Sequence, residues 1–217
     1  MTRRAALFDM DRTLVSRQTA SLYVGYQREL GRATWLDSLR VGGWLLKYAL
    51  GRLDAPGVAE KVLARFSGTE ESAFALACED WFGRYVLEHV SPVGRAAVER
   101  HREAGDILVI VTAAVVYAAR PLGKELDIEH VVASEIVVER GKLTARPRHP
   151  LCYGEGKVSR TLELADKLEF SLSESTFYTD SATDLPLLER VGSPVAVNPD
   201  VRLRWIAARR GWPIVRW

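Results

Sequence analysis

The chain predicts an open α/β fold: a parallel sheet with an all-helical module inserted after its first strand. Three observations carry this. Apolar runs of strand length occur at Ala5–Phe8, Ile107–Val111 and Pro194–Val197, without polar alternation, as in strands buried on both faces. Each strand that bears candidate chemistry stops at carboxylates or a hydroxyl, where open α/β sheets collect ligands. Between the first two runs, residues 16–105 hold helix formers at helical spacing and no convincing strand.

Composition agrees with this frame. A length of 217 residues suits one large domain, or a domain with an insert, and leaves ample chain for a core. With 47% hydrophobic and 27% charged residues the composition is that of a globular protein, and a net charge of +2 is too small to argue for nucleic acid. Cys78 and Cys152 lie far apart and show no metal-type spacing, so a reducing cytoplasm is the expected home. Asp9 and Asp11 break the apolar run after Arg3-Arg4, so it reads neither as a signal peptide nor as a membrane span. No repeat or low-complexity tract is present.

Taken in order, Ala5–Phe8 reads as a buried strand ending at Asp9-Met10-Asp11-Arg12-Thr13. Alternate residues of extended backbone project to one side, so Asp9 and Asp11 can face one cleft. Clustered anions call for a cation or a shared proton, and an all-oxygen site suits Mg²⁺; an Asx-turn with solvated carboxylates is the plain alternative. Helices are expected over 19–30 and 35–49, the second broken at Gly42-Gly43. Asp54-Ala55-Pro56-Gly57 signals a turn and a helix start, continued by Val58, Val62, Leu63 and Phe66. A further helix runs from Gly68-Thr69-Glu70-Glu71 through Val86, and Ser91-Pro92 opens one through Arg102. Trp44-Leu45-Leu46 could touch a membrane, but Lys47 interrupts a patch too short to span, and packing within the insert is the favoured reading.

The run Ile107–Val111 ends in Thr112-Ala113-Ala114, an anion-binding corner or a simple helix cap. A short strand at 131–133 and a hairpin around Arg140-Gly141 follow. Lys157 stands in the first turn of a helix through Leu168, where it opposes the helix dipole and gains from a nearby anion; a solvated lysine is the alternative. Gly154–Lys157 lacks Walker A spacing. The strand Ser175–Thr179 ends at Asp180 and Asp184, spaced i and i+4, as metal ligands or helix caps. Helical residues 205–210 and a short strand at 212–215 close the chain. His89, His101, His130 and His149 fall in no ligand or triad spacing, so surface or structural roles are expected.

Asp9-x-Asp11-x-Thr13 after a strand, a strand ending at Thr112, Gly-x-Gly-Lys157, and Asp180-x-x-x-Asp184 after a strand together resemble, in order, the four motifs of the haloacid dehalogenase superfamily. The resemblance covers nearly the whole chain and is nearest to the phosphoserine-phosphatase-like and histidinol-phosphatase-like branch. It implies a Rossmann-like core from residues 1–15 and 106–217, and a helical C1-type cap with its return helix over 16–105. It implies an Mg²⁺-dependent phosphatase acting through an aspartyl-phosphate on a small phosphorylated metabolite. Asp9 is then the nucleophile and Asp11 the general acid/base. Thr112, the Ala113 N–H and Lys157 bind phosphate. Asp9, Asp11 through its backbone carbonyl, and Asp180 bind metal, with Asp184 in support.

Arg12 departs from the small or neutral residue usual in the family and adds a cation near the phosphate. Gln18 stands where phosphoserine phosphatases place a glutamate for the substrate ammonium, so phosphoserine is not the expected preference. A phosphotransferase or mutase keeps all these groups and differs in the acceptor, and phosphoserine phosphatase proper is the other alternative. Asp11 argues against a dehalogenase, and the intact motifs argue against a non-catalytic module.

Overall fold

The computed structural model describes residues 3–49, 57–58 and 63–217, with backbone alone for 45–49. Its centre is a sheet of six parallel strands in the order β3-β2-β1-β6-β7-β8. These are β1 (Ala5–Phe8), β2 (Ile107–Val115), β3 (His130–Ser134), β6 (Thr176–Thr179), β7 (Ser193–Val197) and β8 (Ile214–Val215). A separate antiparallel hairpin joins β4 (Ile136–Glu139) to β5 (Lys142–Pro147). From β1 the chain builds outward to β2 and β3, then returns to the other flank through β6. The topological switch therefore falls at β1, where such sheets open a ligand crevice at the carboxyl ends.

All four residues of β1 are buried, as the apolar run predicts for a central strand with both faces covered. On one face Leu7, Val109 and Phe177 pack with Val158, Leu187 and Leu203. On the other, Phe8 and Ile110 pack with Ala97, Val98 and Leu122. His101 serves structure there: its Nδ1 meets Asp106 at 2.7 Å and its Nε2 the Tyr178 hydroxyl at 2.8 Å, tying a helix to β6.

The insert begins with α1 (Thr19–Glu29) and α2 (Trp35–Ala49), followed by α3 (Glu71–Trp81). Of the expected turn and helix start, residues 54–56 lie outside the described residues, as do Leu50 and Val62. Gly42-Gly43 does not break α2, whose backbone runs unbroken over 35–49. Each glycine costs such a helix only about 1 kcal/mol, which packing of α2 on α1 offsets. The helix expected through Val86 is α-helical only to Trp81. A π-helical turn follows at Phe82–Val86, then a 3₁₀ turn at Leu87–His89. That wider turn accommodates Trp81, Phe82 and Val86, all buried. Tyr23 is held among the rings of Tyr26, Phe66 and Trp81.

The return helix α4 (Pro92–Glu103) starts as its sequence predicts: the Ser91 hydroxyl accepts the Gly94 N–H at 3.0 Å, and Pro92 needs no donor there. The β4–β5 hairpin lies against the insert, since the Gly68 N–H donates to the Leu143 carbonyl and the Glu71 N–H to that of Gly141. Leu143 and Ile136 join Leu63, Phe74 and Cys78 in one apolar cluster.

After β2 come α5 (Val116–Glu125), α6 (Glu155–Leu168), the short α7 (Leu185–Leu188) and α8 (Val201–Arg210). β2 does not stop at Thr112. It continues to Val115 through a register shift after Val111 and regains pairing at Val115 with Ser134. The residue that caps α5 is thus Val115, and Thr112 is no helix cap. Among the described residues, no helix is long and apolar enough to cross a membrane.

Candidate active site

Five segments meet at the carboxyl edge of the sheet. The Asp9 N–H donates to the Tyr178 carbonyl at 2.8 Å, extending the β1–β6 ladder by one bond and fixing where the Asp9 side chain leaves the strand. The chain then turns tightly: the Val15 N–H reaches the Met10 carbonyl at 2.8 Å, and Arg12 takes a left-handed φ of 54°. A side chain there is strained, since the Cβ of an L-residue crowds the backbone in that region. The Asn198 side-chain amide holds the Arg12 carbonyl at 3.3 Å.

Lys157 is the hub. Its Nζ lies 2.9 Å from Asp9 Oδ1 and 2.7 Å from Asp184 Oδ2, and the side chain is 1% exposed. A buried ammonium is stable only when paired, and two carboxylates pair it here. The position follows from local backbone. Gly156 passes so close to Leu151 that a Cβ would stand 1.9 Å from its carbonyl oxygen, so only glycine lets α6 start there. Arg160, one turn on, braces the preceding loop through the carbonyls of Pro150 at 2.6 Å and Arg148 at 2.9 Å.

Asp184 also accepts the Thr179 hydroxyl at 2.6 Å. Its carboxylate caps no helix: the cap bond of this turn is made by Ser181, which accepts the Thr183 N–H. Asp180 stands beside it, 3.5 Å from Arg12 Nε. Asp200 braces this turn from below, its N–H donating to the Asp180 carbonyl at 2.8 Å and its carboxylate accepting the Ala182 N–H at 2.9 Å. The Asp11 carboxylate accepts the Thr19 N–H, the first of α1, at 2.6 Å. Thr112 lies two residues past Ile110, the β2 partner of Phe8, so the register puts it just beyond the end of β1, on the part of β2 that continues to Val115. Its hydroxyl accepts the Ala114 N–H at 3.2 Å, while the Ala113 carbonyl accepts from Ser134 at 3.0 Å. Gln18 is half-buried at the cap position of α1 and makes no side-chain cap bond.

The electrostatics are those of crowded anions. Burial pushes the Asp9 carboxyl up to about 7, against the pull of Lys157. Burial, then the charge of Asp9, holds Asp180 well above the usual carboxylate range. Burial also raises Asp11, opposed by the Thr19 N–H. Among the described residues no three His, Cys, Asp or Glu side chains converge as a metal-binding group. Asp9 and Asp180 nonetheless offer two buried carboxylates, the first beside Lys157 and the second beside Arg12, an all-oxygen donor set that fits a hard divalent ion once a backbone carbonyl completes it.

Sequence reasoning did not single out Thr179, Ser134, Asn198 or Asp200. Thr179 alone carried a signal, as a hydroxyl on the last strand residue before the aspartate pair.

The sequence profile of the haloacid dehalogenase-like hydrolases matches residues 6–189. The chain belongs to that family. It is 27% identical over 215 residues to a histidinol-phosphatase of Neisseria meningitidis serogroup C, with 97% of each chain covered. It is 30% identical to phosphoserine phosphatase SerB1 of Mycobacterium tuberculosis, over 97% of this chain and 70% of that one. Among solved structures, a Bordetella pertussis Tohama I protein superposes with a TM-score of 0.86 at 31% identity, covering 99% of both chains. A phospho-aspartyl intermediate analogue of phosphoserine phosphatase superposes at 0.73 with 17% identity, over 100% of this chain and 94% of that one, and so shares the fold. Family and relatives together make this haloacid dehalogenase-like hydrolase a phosphatase.

Proposed function

We propose that the protein hydrolyses small phosphomonoesters in two steps, with Asp9 as nucleophile. The observation that carries this reading is the buried Lys157–Asp9 contact of 2.9 Å, a cation set beside one carboxylate at the end of the central strand. Asp9 attacks phosphorus in line, the alkoxide departs, and an aspartyl-phosphate forms. Asp11 gives its proton to the leaving oxygen and then takes one from the water that opens the acyl phosphate. Its raised pKa suits a group that must hold a proton before it gives it. Lys157, Thr112 and the Ala113 N–H take up charge on the phosphoryl oxygens.

Mg²⁺ fits the remaining donors: Asp9, the Asp11 backbone carbonyl and Asp180 would hold it, and when bound it offsets repulsion between nucleophile and phosphate. Asp184 supports the site through Lys157 rather than as a direct ligand. The helical insert serves as a cap that excludes water from the reaction. α2 supports this role, since it comes within 8 Å of the Ala182–Asp184 turn, Cα to Cα.

The relatives act on histidinol phosphate and phosphoserine by their names. Gln18, adjacent to the Asp11–Thr19 bond, carries no charge to meet a substrate ammonium, so we place histidinol phosphate or another small phosphomonoester ahead of phosphoserine. The test is turnover of an aryl phosphate and a metabolite panel with Mg²⁺, beside Asp9→Asn. Turnover by the wild type and none by Asp9→Asn supports the reading. Robust turnover by Asp9→Asn, or full activity in excess chelator, overturns it.

A further inference from the structure

We propose that the outer face of α8 is a docking surface for the anionic headgroup layer of a membrane. The inference stands apart from the hydrolytic chemistry. α8 buries Leu203 and Ala207 against the core, half-buries Ile206 and turns its other residues outward. At about 100° per residue, Trp205 lies about 40° from Val201 and Ala208 about 20° to its other side. Those three form one stripe, with Val201 88% and Trp205 61% exposed. Arg209 and Arg202 border the stripe on one side and Arg204 on the other, all exposed. An apolar stripe bordered on both sides by basic residues is the pattern of a helix lying in a membrane interface.

Charge points the same way. Residues 201–217 contain five arginines and no Asp or Glu, in a chain whose net charge is only +2. Among the described residues, only Arg210 of those five is ion-paired, with Glu189. Nucleic acid fits less well. Arg209 stands 4.7 Å over one face of the Trp205 ring and takes that face from a stacking base, and an exposed Val201 offers a polyanion nothing. A headgroup layer rewards both parts, guanidinium groups at the phosphates and the apolar stripe beneath them.

The surface is also tied to the site. Asp200 caps α8, accepting the Leu203 N–H at 2.7 Å, and the same carboxylate holds the Ala182 N–H beside Asp180 and Asp184. α2 approaches that same turn and exposes Trp35, Leu36 and Leu39.

The test is co-sedimentation of the full chain with vesicles of phosphatidylcholine alone and of equal parts phosphatidylcholine and phosphatidylglycerol. Binding is expected to the mixed vesicles only. It should fall roughly tenfold or more in Arg204→Glu/Arg209→Glu, and clearly in Val201→Ser/Trp205→Ser. Unchanged aryl-phosphate turnover shows that both variants are folded. Four results would overturn the proposal: no binding to either vesicle, equal binding to both, indifference to the charge reversals, or indifference to loss of the apolar pair with displacement by single-stranded DNA. The last of these identifies a general polyanion site.

Discussion

The carboxylate of Asp11 is bonded to the backbone N–H of Thr19 at 2.6 Å, so the proposed acid/base closes the first turn of the first insert helix. One side chain then has two separable duties. Asp11→Asn keeps an oxygen to accept that N–H and should fold normally, while turnover falls by about 10²–10⁴. Asp11→Ala should lose the same turnover and also about 1 kcal/mol of stability, the usual loss of a helix-capping acceptor. Rate assays paired with urea unfolding check this; equal stability of the two variants would show that the bond has no structural weight.

Lys157 pairs with Asp9 and Asp184 with almost no exposure to solvent. Lys157→Met should remove activity and destabilise the fold by roughly 3–5 kcal/mol at neutral pH, because two buried carboxylates lose their cation. The loss should shrink in acid, where protonation removes the unpaired charge. Urea midpoints across pH decide it, and a pH-independent loss would point to packing instead.

Stability without metal should fall as pH rises. The Asp9 carboxyl sits at about 7 in the fold against an ordinary 3.8, so folding favours its protonated form. Its contribution is whole below 3.8 and is lost as pH climbs toward about 7. Asp180 shifts the same way. In chelator, melting temperature should decline over this window. Asp180→Asn should flatten the decline, raise the melting temperature at its upper end and lose the stabilisation that Mg²⁺ gives the wild type. A wild-type slope retained in Asp180→Asn counts against a shared anionic cluster.

On the proposed reading, Gln18 sets the substrate preference. kcat/KM for histidinol phosphate should exceed that for phosphoserine, and Gln18→Glu should narrow the gap by favouring the ammonium of phosphoserine. A tenfold lead for phosphoserine in the wild type, about 1.4 kcal/mol in transition-state binding, would show that the ammonium is met by another residue.

Much of this site was legible in the sequence because its residues sit at strand ends. A strand-length run followed at once by Asp9 or Asp180 needs no tertiary information to read; Thr112 likewise closes its apolar run, though β2 itself continues to Val115. Their partners were harder to read. The Thr19 contact depends on a tight turn through a left-handed Arg12, a conformation that arginine does not signal. The direction of Arg12 toward Asp180 follows from that turn and from Asn198, distant in sequence. Asp184 read equally as ligand, support or cap, and only the position of Lys157 decided among the contacts it makes. In the fold, the expected break at Gly42-Gly43 and the simple helix through Val86 both failed where packing overrode local preference.

The place of β1 in the sheet also bears on the order of folding. Its residues pair on one side with Ile107–Ile110 and on the other with Thr176–Tyr178. The first strand made is therefore flanked on its second side only when β6 appears, and Asp9 gains its backbone partner, Tyr178, only after most of the chain exists. Parallel pairings over such separations require costly loop closure and slow the search for the native state. The helices of the insert, built from nearer contacts, can form while that search continues. During synthesis Asp9 remains outside its finished surroundings until β6 arrives, so the nascent chain should gain phosphatase activity late and abruptly rather than in proportion to its length.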